Sequence, residues 1–197
     1  MLRTEYPTQA DALIVAIDQE YLCVEKDVAF AKKSKHPMDK NLPIAAYLLA
    51  IIKVLDHNKF DLPNIRKLIL ELAHQYARPR NRVERYLKSL APALLTSTVG
   101  RYLLRRIDRQ LKKSLLADGF LIDVLTSPEE TLGFGYGVDI RECGICKLFA
   151  KQQYQAYAPL LCEVDYITSS LAGLQLVRRG TIANGAAKCD FRYRRIK

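Results

Sequence analysis

The spacing of apolar residues divides the chain into two unlike parts. Up to about residue 118 they recur at intervals of three and four, the period of helices with one buried face. A first helix is expected to start near Thr8, a fair N-cap, and to turn Leu13, Ile17, Tyr21, Val24 and Val28 inward, with Cys23 also at core spacing. Its pattern dissolves in the polar stretch from Lys32 to Asn41, where Pro37 supports a break. A second helix follows Pro43 and carries Tyr47, Leu48, Ile51, Ile52 and Leu55. A third opens at Pro63, a residue suited to a first helical turn, with Ile65, Leu68, Ile69 and Leu72 inside. The stripe Val99, Leu103, Ile107, Leu111 and Leu115 marks a further helical region between Val83 and Leu116, divided by Pro92 and Gly100.

Beyond Gly119 the period changes. Thr126-Ser127-Pro128 reads as a turn, and Phe134, Tyr136, Val138 and Ile140 alternate as a half-buried strand does. Residues 142–170 return to a helical pattern, broken near Pro159. Two more strands, Leu174 to Ile182 and Lys188 to Ile196, are joined through Asn184-Gly185, a strong turn dipeptide. The expected fold is therefore α+β. A helical N-terminal half, residues 1–118, packs on a small antiparallel sheet with a helical pair, residues 119–197, in one compact domain.

Composition agrees with a folded protein, at 49% apolar and 26% charged residues. The longest apolar run, Leu42 to Ile52, stops at Lys53, short of the roughly 20 residues that cross a bilayer, so no membrane span is expected. The opening residues Arg3, Glu5 and Pro7 do not resemble a secretory signal, and the expected location is cytoplasmic. The net charge of +10 is concentrated between Arg78 and Lys113, which holds eleven Lys or Arg against Glu84 and Asp108. Such a block suits nucleic acid or anionic lipid, or else a solvated helix face. A nucleic-acid partner would be unaccompanied by any helix-turn-helix signature or aromatic stacking platform.

Five cysteines are an odd number for a disulfide framework, so reduced thiols or metal ligands are expected. Four of them, Cys143, Cys146, Cys162 and Cys189, fall in the last 55 residues. Cys143-x-x-Cys146 has the spacing of half a zinc or iron–sulfur site, but Cys162 and Cys189 form no second close pair, and no cofactor is assigned. A redox pair at a helix N-terminus is a second reading of Cys143-Gly-Ile-Cys146, although the alternating strand and helix units of a thioredoxin-like fold are missing. A third is that cysteine acts as a small buried hydrophobe. The histidines, His36, His57 and His74, all lie in the helical half and read as surface or helix-end residues.

The order of chemistry-bearing residues adds a further reading. Glu142-Cys143 is followed by Cys162-Glu-Val-Asp165, then Arg178-Arg-Gly-Thr181-Ile-Ala-Asn184-Gly185, then Cys189-Asp190-Phe191. Over about residues 134–197 this series resembles the L-2-amino-thiazoline-4-carboxylic acid hydrolase family. Its Cys-Asp-Phe ending also resembles, more distantly, the last strand of vinyl-reductase-type ligand-binding domains. The first resemblance implies a hydrolase that opens a small sulfur- and nitrogen-containing ring to N-carbamoyl-cysteine. In that reading Cys162, Cys189, Cys143 and Asp165 supply the catalytic groups, either a thiol nucleophile or a carboxylate that activates water. Arg178, Thr181 and Asn184 would hold the substrate. The alternative is a small-molecule, cofactor or metal-binding sensor without catalysis on the same scaffold. Cys162 and Asp165, three apart, share one face of a helix. Asp190 must point to the sheet face opposite Cys189 and Phe191, so Cys189 is the one expected in the pocket.

Overall fold

A computed structural model describes residues 2–79, 81, 90, 94, 95, 97–111 and 116–196. The helices are α1 Leu2–Glu5, α2 Ala10–Val24, α3 Leu42–His57, α4 Leu62–Ala77, α5 Thr98–Leu111, α6 Gly144–Lys151 and α7 Ala158–Leu171. The strands are β1 Leu121–Leu125, β2 Tyr136–Glu142, β3 Leu174–Val177 and β4 Cys189–Arg195. They form one antiparallel sheet in the order β1-β2-β4-β3, so the fold is α+β as expected. Much of the basic segment, namely 80, 82–89, 91–93, 96 and 112–115, lies outside the described residues, and with it the expected break at Pro92.

Helix α3 is central because its apolar residues run almost all round it, which only a helix packed on several sides tolerates. It touches α2, α4 and α6, with Leu42, Leu49, Ile52 and Leu55 wholly buried. Its neighbour α4 starts as the sequence suggests, with Pro63 in the first turn and the Asp61 carboxylate capping Asn64 N–H at 3.0 Å. The helix expected from Thr8 is α2, which begins at Ala10 and tightens into a 3₁₀ segment, Glu25–Lys32, while Cys23 is exposed and does not join the core. The break expected near Pro159 comes earlier. Helix α6 stops where Gln153 takes a left-handed φ of 61°, letting Tyr154 N–H bond back to Phe149 O at 2.8 Å, and Pro159 sits in the first turn of α7.

One buried cluster spans both parts of the chain, from Leu13 and Ile17 through α3 and Phe149 to Ile122, Ile140, Cys189 and Phe191. Polar ties reinforce it. Lys53 donates to Gln152 Oε1 at 2.8 Å, Gln152 donates to Asp27 at 2.6 Å, and Tyr157 O–H donates to Asp56 at 2.6 Å. His36, expected at the surface, is 1% exposed. The loop that carries it holds Asp39, whose carboxylate accepts from Ser34 O–H at 2.6 Å and from Phe120 N–H at 3.0 Å, fastening the helical part to the start of β1. On the other side α5 clamps β1, with Asp108 accepting from Val124 N–H at 2.9 Å and Arg105 donating to Thr126 at 2.8 Å.

Beyond a register shift between Leu121 and Ile122, side chains across the sheet alternate between its two faces. In register, Ile122, Ile140 and Cys189 form one row, and Val124, Val138 and Phe191 the next, facing the helices. Asp123, Asp139 and Asp190 form a row on the opposite face. Carboxylates directly opposite one another repel, and each here has its own donors. Arg141 bonds Asp123, Lys188 and Arg192 bond Asp139, and two backbone amides bond Asp190. Burial pushes the Asp139 carboxyl up, but its two cations together hold it below the ordinary carboxylate range.

Candidate active site

Strand β4 delivers Cys189 to the helix side, where it is 3% exposed, and sends Asp190 to the far face, as the period of two requires. Asp190 works there as a backbone anchor. Its Oδ1 accepts Arg179 N–H at 3.0 Å and Gly180 N–H at 2.9 Å, which fixes the chain leaving β3. Two residues on, Ile182 N–H donates to Cys189 Sγ at 3.2 Å, and Thr181 is buried, its hydroxyl close to Cys162 but without a regular hydrogen-bond partner. Asn184 stands exposed on the turn that closes through Gly185, whose φ of 84° favours glycine.

Cys143 ends the extended segment after β2 and is the N-cap of α6, with Cys146 in the first turn and in hydrogen-bonding contact with it. Cys162 and Asp165 lie one turn apart on α7. Cys143 lies within electrostatic reach of both Cys162 and Cys189. Burial, with help from Asp165, pushes the Cys162 thiol up to about 11. Burial likewise pushes Cys189 up to about 11, against the pull of Ile182 N–H. The neighbouring Cys146 thiol and burial push Cys143 up strongly, so this pair carries at most one negative charge.

Asp165 is the carboxylate of the cluster. Crowding pushes it up to about 6, while Arg178 pulls the other way through a 2.8 Å hydrogen bond. The two side chains differ in access, with Arg178 6% exposed and Asp165 38%. Arg178 also donates to Cys162 O and stacks on Tyr166 and Phe191, its guanidinium 4.5 Å and 5.2 Å from the ring centres. It is thus committed to the protein itself. Arg179, beside it, is exposed.

Direct contacts join Arg178 to Asp165 and to the Cys162 carbonyl, with Thr181 beside Cys162 and the Ile182 amide on Cys189, while Asn184 stays exposed on the outer turn. Sequence reading missed the roles of Tyr166, Phe191 and the Ile182 amide. Only Tyr166 and Phe191 carried a signal, as aromatics adjoining Asp165 and Asp190. A cavity of about 200 Å³ lies elsewhere, lined by Leu116, Ala117, Gly119, Phe120, Leu121 and Glu142. It contains none of these thiols, so chemistry and not void volume marks the candidate site. Among the described residues no three His, Cys, Asp or Glu side chains are placed to hold a metal ion. Nor is any described helix long and apolar enough to cross a membrane.

The fold is α+β, and the Asp165–Arg178 pair sits with Cys162 where the chain leaves β3. Residues 45–193 match the family of L-2-amino-thiazoline-4-carboxylic acid hydrolases, and the chain belongs to that family. The match reaches well beyond the C-terminal third that the motifs marked, taking in α3, α4 and α5. No curated protein and no solved structure matches the chain.

Proposed function

We propose that this chain hydrolyses 2-amino-thiazoline-4-carboxylate or a closely similar ring acid, with Cys162 as nucleophile and Asp165 as the group that accepts and returns the proton. The observation that supports the reading is Asp165, a carboxylate one helical turn from Cys162 and held by Arg178 at 2.8 Å, whose pKa, at about 6, is poised near neutrality.

At pH 7 the Cys162 thiol is protonated and Asp165 is mostly ionised. As the sulfur bonds to the ring carbon between nitrogen and sulfur, Asp165 takes its proton. The bond from that carbon to the ring sulfur then breaks, and Asp165 returns the proton to the departing sulfur. Water attacks the enzyme-bound carbon, again losing a proton to Asp165, and the Cys162 thiol is released protonated. One water is consumed, and the product carries a free thiol and a carbamoyl nitrogen. Arg178 holds Asp165 in place and ionised, the buried Thr181 hydroxyl is available to a ring nitrogen, and the exposed Arg179 suits the substrate carboxylate.

A second reading, binding without turnover, is favoured by one observation. All three thiols are neutral at pH 7, and no histidine is among the charges that act on them. Thiol release from the ring acid, followed with a chromogenic disulfide, separates the two. Hydrolysis predicts release with an acid limb near pH 6, displaced upward in Arg178→Met because the cation that holds Asp165 down is gone. Saturable binding with no thiol released would favour the second reading.

A further inference from the structure

The mechanism above leaves Cys146 unused, although its thiol touches Cys143. We propose that Cys143 and Cys146 are a thiol–disulfide pair, which exchanges with small-molecule disulfides and closes reversibly into an intramolecular bridge.

Three features carry this. The two residues occupy the N-cap and the first turn of α6, and a disulfide needs Cα atoms within about 7 Å, which residues three apart in a helical turn satisfy. Their side chains are within hydrogen-bonding reach, and although backbone N–H groups of Ile145 and Cys146 face the Cys143 sulfur, Cys146 and burial push that thiol up, so the pair holds at most one negative charge. Both are partly exposed, unlike Cys189. The turn is also rigidly seated. A Cβ on Gly144 would lie 3.2 Å from Asp118 O, Leu42 Cδ2 and Phe120 Cδ2, so the helix start is held close against α3 and the segment leading into β1.

The exchange balances. The thiolate of the pair attacks one sulfur of the external disulfide, giving a mixed disulfide and releasing one thiolate, which takes up a proton. The second cysteine loses its proton and attacks the protein sulfur of the mixed disulfide, forming the bridge and releasing the second external thiol. Two protein thiols are oxidised and one external disulfide is reduced to two thiols. The proposal does not depend on the hydrolase reading.

The test is exposure of the full chain to oxidised glutathione, followed by acid quenching, alkylation and peptide mass mapping. Exposed Cys23 serves as the internal control for disulfide delivery. Under conditions that load Cys23 with a glutathione adduct, Cys143 and Cys146 should be found bridged, with the mass of two hydrogens lost, and dithiothreitol should reverse this fully. The variant Cys146→Ser should accumulate the Cys143 adduct that the wild-type chain lacks. Free Cys143 and Cys146 in wild-type chains whose Cys23 is loaded would overturn the proposal. So would stable glutathione adducts on both, or bridges that run to Cys162 or Cys189 instead.

Discussion

Asp190→Ala removes no group from the thiol cluster, yet it should disturb both fold and site. The carboxylate accepts two backbone amides, at 3.0 Å and 2.9 Å, and hydrogen bonds to a charged group contribute about 1.5–3 kcal/mol each. Arg179 is exposed and water replaces part of its loss, which puts the pair at the lower end, about 3 kcal/mol. Removing a carboxylate directly opposite Asp139 returns up to about 1 kcal/mol, because like charges across a ladder repel. The net expectation is a loss of about 2 kcal/mol. Asn keeps an acceptor and also relieves the repulsion, so Asp190→Asn should stay within about 1 kcal/mol of the parent. Urea unfolding at pH 7.5 reads both. Alkylation of Cys189 is the second readout, since releasing residues 179–182 frees the amide that covers its sulfur and should speed labelling in the Ala variant. An Ala variant with unchanged stability and unchanged Cys189 protection would refute the anchoring role.

The Asp39 junction gives a larger effect. Asp39→Ala strands the Phe120 amide and the Ser34 hydroxyl in a site 1% exposed, and thermal or urea unfolding should register a loss of about 3–5 kcal/mol. Gly119→Ala puts a Cβ 2.9 Å from the same carboxylate and should cost about 1–3 kcal/mol. His36 predicts a pH dependence. Burial depresses its pKa below the ordinary 6.5, with Asp39 opposing, so the unfolded chain takes up the proton more readily than the folded one. Its contribution to stability is full above pH 6.5 and falls as the pH drops below that value. Asp165, raised from 3.8 to about 6, works in the opposite sense, adding stability as the pH falls through that interval. The comparison that isolates His36 is therefore wild type against His36→Gln, whose difference in stability should be flat above pH 6.5 and change below it. A parallel pair of curves would contradict the assignment.

How far the sequence foretold this depends on which physics each residue expresses. Helices α3 and α4 were legible because their apolar spacing, Pro63 and the Asp61 cap agree with one another. Strands β2 and β4 were legible through alternation, which also placed Asp190 opposite Cys189 correctly. Strand β1, Leu121–Leu125, was not foreseen, since its five residues hold too short an alternation to stand out. Cys23 and His36 were misplaced because helical spacing and polarity describe a local face, whereas burial depends on what a distant segment lays over it. The Asp165–Arg178 pair joins α7 to the end of β3, a contact made by the fold and carried by no motif. The reach of the family match into α3–α5 was missed for a related reason. Packing residues on helices have no chemical signature for motif spacing to detect.

Turnover of 2-amino-thiazoline-4-carboxylate by Asp165→Asn and Cys162→Ala, beside folded wild type, tests the central claim most directly. The proposed reaction loses its proton carrier in the first variant and its nucleophile in the second, so kcat should fall by about 10²–10⁴ in the first and at least as far in the second, with KM little changed. Wild-type turnover retained in both variants would contradict the account.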